Sequence, residues 1–316
     1  MTASATAADR RVRALRPAKP LVDPWRAHGS VVDVERRPDG TVEQALTVFL
    51  AGAECPFTCS FCDLWRWTID GPTPPGALPR QLHEALAQRD LPRPRRLKLY
   101  NASNFFDARA VPPSDWPAIA ELAASFDGVT VESHASTVGA RVLEFARALD
   151  GRLEVAMGLE TTHPDATAHL NKRMTPARFA EATAFLVANG VDVRAFVLLG
   201  APHVAPNESA EWTVRTAEFA VSAGASVVAL IPVRGGNGEL ERLAATGEFT
   251  PPTLRQLETA LDRCLRLAPA VVTADLWDAE RFSACGACRD ARIERLARIN
   301  RSGAPEPAVR CVECDA

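Results

Sequence analysis

From residue 45 to residue 232 the chain alternates short β-branched runs with amphipathic stretches, and this alternation restricts the fold more than any other feature. Apolar runs predict strands at Ala45–Leu50, Arg96–Tyr100, Val129–Glu132, Leu153–Leu159, Val191–Leu199 and Ser226–Pro232. Helical periodicity falls between them at Pro79–Gln88, Ser114–Phe126, Gly139–Leu149, Pro176–Ala188 and Asn207–Ala223. The fourth helix carries Thr175-Pro176 as a cap and first-turn proline, with Gly190 just past its end. Units of about 30 residues in strictly alternating order predict parallel βαβ connections, and so an α/β fold, a partial (β/α)6 TIM-type barrel. A helix at Leu254–Leu267 and a further apolar strand at Ala270–Ala274 follow, while the Pro/Gly-rich residues 70–80 read as an irregular loop.

The expected boundaries are a disordered basic tail at 1–22, a barrel over 23–275 with its catalytic core at about 44–240, and a Cys-rich C-terminal module at 276–316. The tail holds Arg10, Arg11, Arg13, Arg16 and Lys19, so a basic arm that reaches RNA is the alternative to plain disorder. Over the 316 residues, 47% are apolar and 24% charged, which excludes wholesale disorder. A net charge of −3 gives no global case for a nucleic-acid coat or a membrane-surface protein. No apolar run approaches the roughly 18 residues that span a bilayer, and the first residues lack an apolar signal core, so a cytoplasmic protein is expected.

Eight cysteines carry the chemistry, and in a chain read as cytoplasmic their close spacing points to metal or redox work rather than disulfides. Cys55, Cys59 and Cys62 follow the first predicted strand as Cys-x3-Cys-x2-Cys. Three soft thiolates on one loop suit an iron–sulfur cluster or zinc, and a four-iron cluster with three protein ligands keeps one iron open. A zinc knuckle wants a fourth ligand, and His28 and His83 are not spaced to supply it.

This segment resembles the Cys-x3-Cys-x-aromatic-Cys motif of the radical S-adenosylmethionine (SAM) superfamily, with Phe61 as the aromatic. The resemblance covers about residues 44–240. It implies a [4Fe-4S] cluster on Cys55, Cys59 and Cys62, SAM chelated to the open iron, and reductive cleavage to a 5′-deoxyadenosyl radical that takes hydrogen from a substrate. It also implies an electron donor of flavodoxin or ferredoxin type. Where the superfamily often has Gly-Gly-Glu after the second core strand, this chain has Asn101, Ser103 and Asn104, which are candidates to hold the SAM amino group or else form a polar turn.

Glu132 and His134 share one face at the end of the Val129–Glu132 strand, and a charged group entering a parallel barrel must be paired or functional. Each is a candidate proton donor or acceptor for the substrate, with a satisfied structural pair as the alternative. The segment Gly158-Leu-Glu160, followed by Asn171-Lys172-Arg173, is similar to the branch that contains elongator protein three, the methylthiotransferases and oxygen-independent coproporphyrinogen oxidase. That similarity implies Glu160 at the ribose or methionine end of SAM and Lys172 or Arg173 at its carboxylate. Gly200 and Gly235, at later strand ends, are implied to meet the adenine through backbone groups, or else are simple turn glycines.

Cys285-x2-Cys288 and Cys311-x2-Cys314 form two knuckles expected to share a metal, with zinc as a clip for a core-poor tail and an auxiliary iron–sulfur cluster as the choices. Cys264 reads as a buried helix residue. The substrate stays open between a small molecule, a natural-product precursor and a tRNA base. The absence of an acetyltransferase domain, a second three-cysteine domain and an RNA-binding β-barrel argues against the elongator acetyltransferase and the tRNA methylthiotransferases. Arg93, Arg95, Arg96 and Lys98 either touch phosphate or edge a strand. The competing classes are a non-catalytic zinc or iron–sulfur interaction protein and a thiol–disulfide oxidoreductase acting through Cys285 and Cys288.

Overall fold

The structure is a computed structural model that describes residues 5–87 and 94–314. Helix α1 (Ala7–Leu15) precedes a hairpin of β1 (Gly29–Arg36) and β2 (Val42–Phe49). The chain then runs through α2 (Ala77–Ala87), β3 (Arg96–Tyr100), α3 (Trp116–Ala123), β4 (Gly128–Ser133), α4 (Ala140–Ala148) and β5 (Arg152–Glu160). It continues as α5 (Pro164–His169), α6 (Pro176–Ala188), β6 (Asp192–Leu199), α7 (Ser209–Ser222), β7 (Val227–Pro232), α8 (Glu239–Ala245), α9 (Leu254–Cys264), β8 (Val271–Ala274) and α10 (Gly286–Ser302). The strands form one sheet in the order β1 to β8. Every pair from β2 onward is parallel, and β1 pairs with β2 antiparallel. Strand β5 is buried on both faces beyond its first residue, as a strand with helices outside and a filled barrel inside must be.

The fold is a TIM-type α/β barrel, nearly closed, with more strands than expected. The Ala270–Ala274 run adds a seventh parallel strand as β8, and β1 had no counterpart in the apolar periodicity. Its pattern is broken by Asp33, which is exposed, and by Glu35, which points into ion pairs. Glu35 accepts from Lys98 Nζ at 2.5 Å and from Arg194 at 2.8 Å. Glu154, fully buried, accepts from Arg37 at 3.0 Å, Arg194 at 2.8 Å and Thr130 at 3.0 Å. Glu43 accepts from Arg96 at 2.8 Å. These groups sit near the N-terminal ends of the parallel strands and plug the floor of the barrel. Arg96 and Lys98 are therefore spent on internal pairing, Arg95 pairs with Asp127 on the surface, and Arg93 lies outside the described residues.

β1 and β8 are the two edges of the sheet, and α10 packs against both. Asn300 in α10 accepts from the Ala274 N–H and donates to the Ala274 carbonyl, both at 2.8 Å, so a helix side chain takes the place of a neighbouring strand. Residues expected as a separate C-terminal module thus close the barrel seam.

The tail expected to be disordered contains α1. Thr6 accepts from the Asp9 N–H and Asp9 accepts from the Thr6 N–H, a reciprocal cap, while Val12 is buried. Helix α6 starts and stops as its sequence predicts, capped by Thr175 and followed by Gly190 at φ +74°. The expected loop at 70–80 gives way to α2 at Ala77. Among the described residues no helix is long and apolar enough to cross a membrane.

Candidate radical site at the barrel mouth

The three-cysteine loop leaves the C-terminal end of β2 and is pinned from several directions. Gln81 in α2 holds Ala51 by accepting from its N–H at 2.8 Å and donating to its carbonyl at 2.9 Å. Thr73 accepts from the Ala53 N–H at 2.8 Å. Within the loop itself, Asn171 Nδ2 donates to the Thr58 carbonyl at 2.9 Å, and Asn237 Nδ2 donates to the Ser60 carbonyl at 2.8 Å. Thr58 Oγ1 donates to Asp9 of α1 at 2.5 Å. A loop of eight residues is thus fixed by groups from three distant parts of the chain, so its thiols are held in place before any ligand arrives.

Burial pushes all three thiols up, Cys59 to about 12 and Cys62 well above its ordinary value, with Cys55 raised less. Each thiol acts on the next electrostatically, and Lys172 is the cation that partly offsets burial at Cys55 and Cys59. Thiols in this state ionise when a cation reaches them, and metal binding releases their protons. The donor set therefore fits an iron–sulfur cluster that supplies the missing positive charge.

The loop after β3 faces the same region. Asn104 Nδ2 contacts Cys55 Sγ at 3.4 Å. Neither side-chain amide atom of the fully buried Asn101, nor the Ser103 hydroxyl, has a partner among the described residues. Burying polar groups unpaired costs about 1–3 kcal/mol each, so such groups mark a place where a polar ligand is missing.

Glu160 and Lys172 meet at the end of β5. A bulge between Gly158 and Glu160 shifts the register, Glu160 takes φ +68°, and its Oε1 accepts from Lys172 Nζ at 2.6 Å. A Cβ on Gly158 would lie 1.9 Å from that carboxylate oxygen and 2.5 Å from the ammonium, so only glycine leaves room for the pair. Lys172 Nζ also stands 6.0 Å from the centre of the Phe61 ring. Burial pulls its ammonium down, but the Glu160 carboxylate more than offsets that and holds it charged. Arg173 turns the other way and pairs with Asp9, so of the two cations it is Lys172 that faces the cysteine loop. Among the described residues, the non-glycine residues with positive φ are Ala102, Glu160, His203 and Asp278 at or after strand ends, and Asn171 and Arg173 on either side of Lys172 in the turn between α5 and α6. Strain of this kind collects at functional sites.

Glu132 and His134 differ in freedom. Burial raises Glu132 to about 8, tempered by the N–H groups of Asn101 and Ala102 and by Lys172. His134 stacks on Phe57 at 4.1 Å, its Nδ1 accepts from the Ser136 N–H at 3.1 Å, and its Nε2 meets the Lys172 carbonyl at 3.1 Å. Burial, then the Lys172 charge, lowers it to about 4. With both ring nitrogens engaged, His134 is a neutral brace between the cysteine loop and Lys172.

The two glycines expected near the adenine lie in loops held by side chains of the protein. The Gly200 N–H donates to Ser209 Oγ at 2.8 Å, and its Cα packs on Pro252. Beside Gly235, the Glu241 carboxylate accepts from the N–H groups of Gly236 at 2.5 Å and Gly238 at 2.6 Å. Cys285, Cys288, Cys311 and Cys314 come together as a second group, their sulfurs all within 4.8 Å of one another, and Cys264 is buried in α9. Sequence reasoning missed Asp9 and Asn237, which hold the loop from outside the motif.

Three solved structures resemble this chain in fold. Elp3 from the archaeon Methanocaldococcus infernus superposes with a TM-score of 0.52 at 13% identity, over 69% of this chain and 58% of that one. A radical SAM methyltransferase from Sphaerobacter thermophilus gives 0.51 at 16%, over 78% and 73%. The chain shares its barrel fold with these structures. Methylornithine synthase (PylB) gives 0.52 at 12%, over 79% and 67%. The chain spans less than two thirds of the Elp3 structure. No protein-family model and no curated protein matches the chain.

Proposed function

We propose that this chain is a radical SAM enzyme, and the observation that carries the reading is the pinned three-thiol loop with unpaired Asn101 and Ser103 and a caged ammonium beside it. Cys55, Cys59 and Cys62 would hold a [4Fe-4S] cluster, which with three protein thiolates would remain open to SAM. Bound there, the two cofactors supply one-electron cleavage of SAM to methionine and a 5′-deoxyadenosyl radical that takes hydrogen from the substrate. Lys172, steadied by Glu160 and Phe61, binds the SAM carboxylate. Asn101 and Ser103 accept from its amino group, which satisfies atoms otherwise buried without partners. Asn104 tunes Cys55 through its amide. Glu132, raised to about 8, holds a proton at neutral pH and can give it to the substrate.

The strain and packing around Gly158 and His134 keep these groups fixed, so the protein contributes position and shielding. The substrate is a small molecule, a natural-product precursor or a tRNA base, the reductant is a flavodoxin or ferredoxin, and the compartment is the cytoplasm. The test is 5′-deoxyadenosine release from SAM by anaerobically reconstituted protein with dithionite. Release that disappears in Cys59→Ala is expected. Protein that loads no cluster at all would sink the reading.

A further inference from the structure

The last forty residues contain a fold problem that their sequence does not solve by packing. After α10 the chain reverses at Gly303, which sits in the left-handed region at φ +65°, and runs back along the helix. Almost all of residues 304–314 are exposed or half-buried, and Val312 is 91% exposed. Their anchors are polar: Arg295 donates to the Pro307 carbonyl at 2.8 Å and to the Glu306 carbonyl at 2.7 Å, and Arg298 pairs with Glu306 at 2.9 Å. Arg295 is buried and ties the middle of the segment, whereas the Arg298–Glu306 pair lies at the surface, and neither reaches Cys311 or Cys314. Yet this return strand brings Cys311 and Cys314 back to the helix start, where Cys285 and Cys288 wait.

The sulfur geometry limits what can join them. Cys285 and Cys311 have their sulfurs 3.8 Å apart, Cys288 and Cys314 theirs 3.7 Å apart, and the whole quartet lies within 4.8 Å. A tetrahedron with metal–sulfur bonds of about 2.3 Å has sulfur–sulfur edges of about 3.8 Å, which is the shell of a single tetrahedral ion, and zinc is the ion that such closed four-thiolate structural sites take. A four-iron cube places each cysteine on a different iron, and that spreads the sulfurs too widely for this quartet. Two disulfides would draw the pairs to about 2.05 Å. Arg292, anchored on Glu258 of α9, sends its Nε to Cys288 Sγ at 3.2 Å and so faces the excess negative charge of four thiolates around a dication. All four positions of the shell are protein ligands, so the site is closed and structural.

We infer that Cys285, Cys288, Cys311 and Cys314 hold one zinc ion that staples the return strand to α10 and thereby locks α10 across the seam between β1 and β8. The zinc closes a loop of 26 residues, Cys285 to Cys311, and ties down the end of it that follows the Arg295 contacts. Because α10 covers both sheet edges and pairs with Ala274 through Asn300, the ion acts on the barrel and not just on the tail. This inference is independent of the radical reading.

The test is metal analysis of the full chain purified anaerobically, as wild type, as the triple variant Cys55→Ala/Cys59→Ala/Cys62→Ala, and as Cys311→Ser/Cys314→Ser. About one zinc per chain is expected in the first two and none in the third. Cobalt(II) added to zinc-stripped protein should give the intense visible bands of a four-thiolate tetrahedral site. Hydrogen exchange should speed up in α10 and β8 when zinc is removed, and restoring zinc should reverse it. The inference falls if the triple variant holds about four irons, if a single iron replaces zinc, if the four cysteines prove oxidised as disulfides, or if the site binds no metal. A zinc whose removal leaves exchange in β8 unchanged would overturn its role at the seam.

Discussion

Gly158 lacks a side chain because two others occupy the space. The Glu160 carboxylate and the Lys172 ammonium both lie where its Cβ would stand, on a strand whose register is already bulged to bring them together. The pair keeps Lys172 charged in a buried setting, which is what binding a carboxylate there requires. Gly158→Ala should therefore disrupt SAM binding while leaving the cysteines alone. A lost charge-assisted contact is worth about 1.5–3 kcal/mol, so SAM affinity should fall by roughly tenfold to a hundredfold. Iron content should stay at the wild-type level, and titration of SAM into the reconstituted protein measures both. Equal affinity in Gly158→Ala would show that the Glu160–Lys172 pair does not contact SAM. Arg173→Ala, whose guanidinium faces Asp9, should cost much less SAM affinity than Lys172→Ala.

At the scale of elements, α1 is the part that changes the picture of the site. Its Asp9 lies buried against Thr58, Asn171 and Arg173, and so joins the cysteine loop to the turn before α6. Arg11 extends the same contact to Glu239, and Arg16 to Glu54. Asp9→Ala leaves the Thr58 hydroxyl and the Asn171 amide without their shared acceptor, a loss of about 1–3 kcal/mol. The expected result is lower thermal stability and faster loss of iron under a chelator, with Asp9→Asn in between because an amide oxygen still accepts. An unchanged rate of iron loss in Asp9→Ala would mean that α1 covers the loop without supporting it.

The parallel strands, most helices and the C-terminal cysteine group were legible in the sequence, because the periodicity of buried surface and the spacing of soft ligands are local patterns. The elements that escaped did so for a common reason. α1 carries a Thr6-x-x-Asp9 cap and an apolar Val12, but its arginines read as a solvated tail. β1 carries Asp33, Glu35 and Arg36, and nothing in one sequence says that Glu35 will meet Lys98 and Arg194 across the barrel. Charged residues that are buried by distant partners look identical to charged residues in water until the partners are known. The same limit hid Asn237, whose role depends on Ser60 almost 180 residues away.

Across the whole molecule, the two ends of the barrel carry carboxylates of opposite character, and stability should record both. On the floor, burial works against Glu35 and Glu154, but Arg194 and the other cations more than offset it, holding Glu35 at about 2 and Glu154 below the usual carboxylate range. Groups lowered in the folded state stabilise it above their ordinary value of 4.5 and lose that contribution as the pH falls toward the folded value. At the mouth, Glu132 is raised from 4.5 to about 8, so its contribution is complete below 4.5 and is lost as the pH climbs through 8. The two limbs leave the protein most stable on the acidic side of neutrality. Glu132→Gln should flatten the fall between about pH 5 and 8 and move the maximum upward, without changing the acid limb. Glu35→Gln should lower stability at neutral pH, flatten the acid limb and leave the alkaline one, because its cations lose their partner only in the range where Glu35 is ionised. Denaturant unfolding of both variants across pH checks this, and cluster and zinc effects common to all three proteins cancel in the comparison. The floor variant should keep its SAM cleavage per folded molecule, since catalytic groups of a β/α barrel gather at the opposite end. If Glu35→Gln lowered that turnover as well, the buried ion network would reach the site at the mouth, and the division of the barrel into a stabilising floor and a working face would fail.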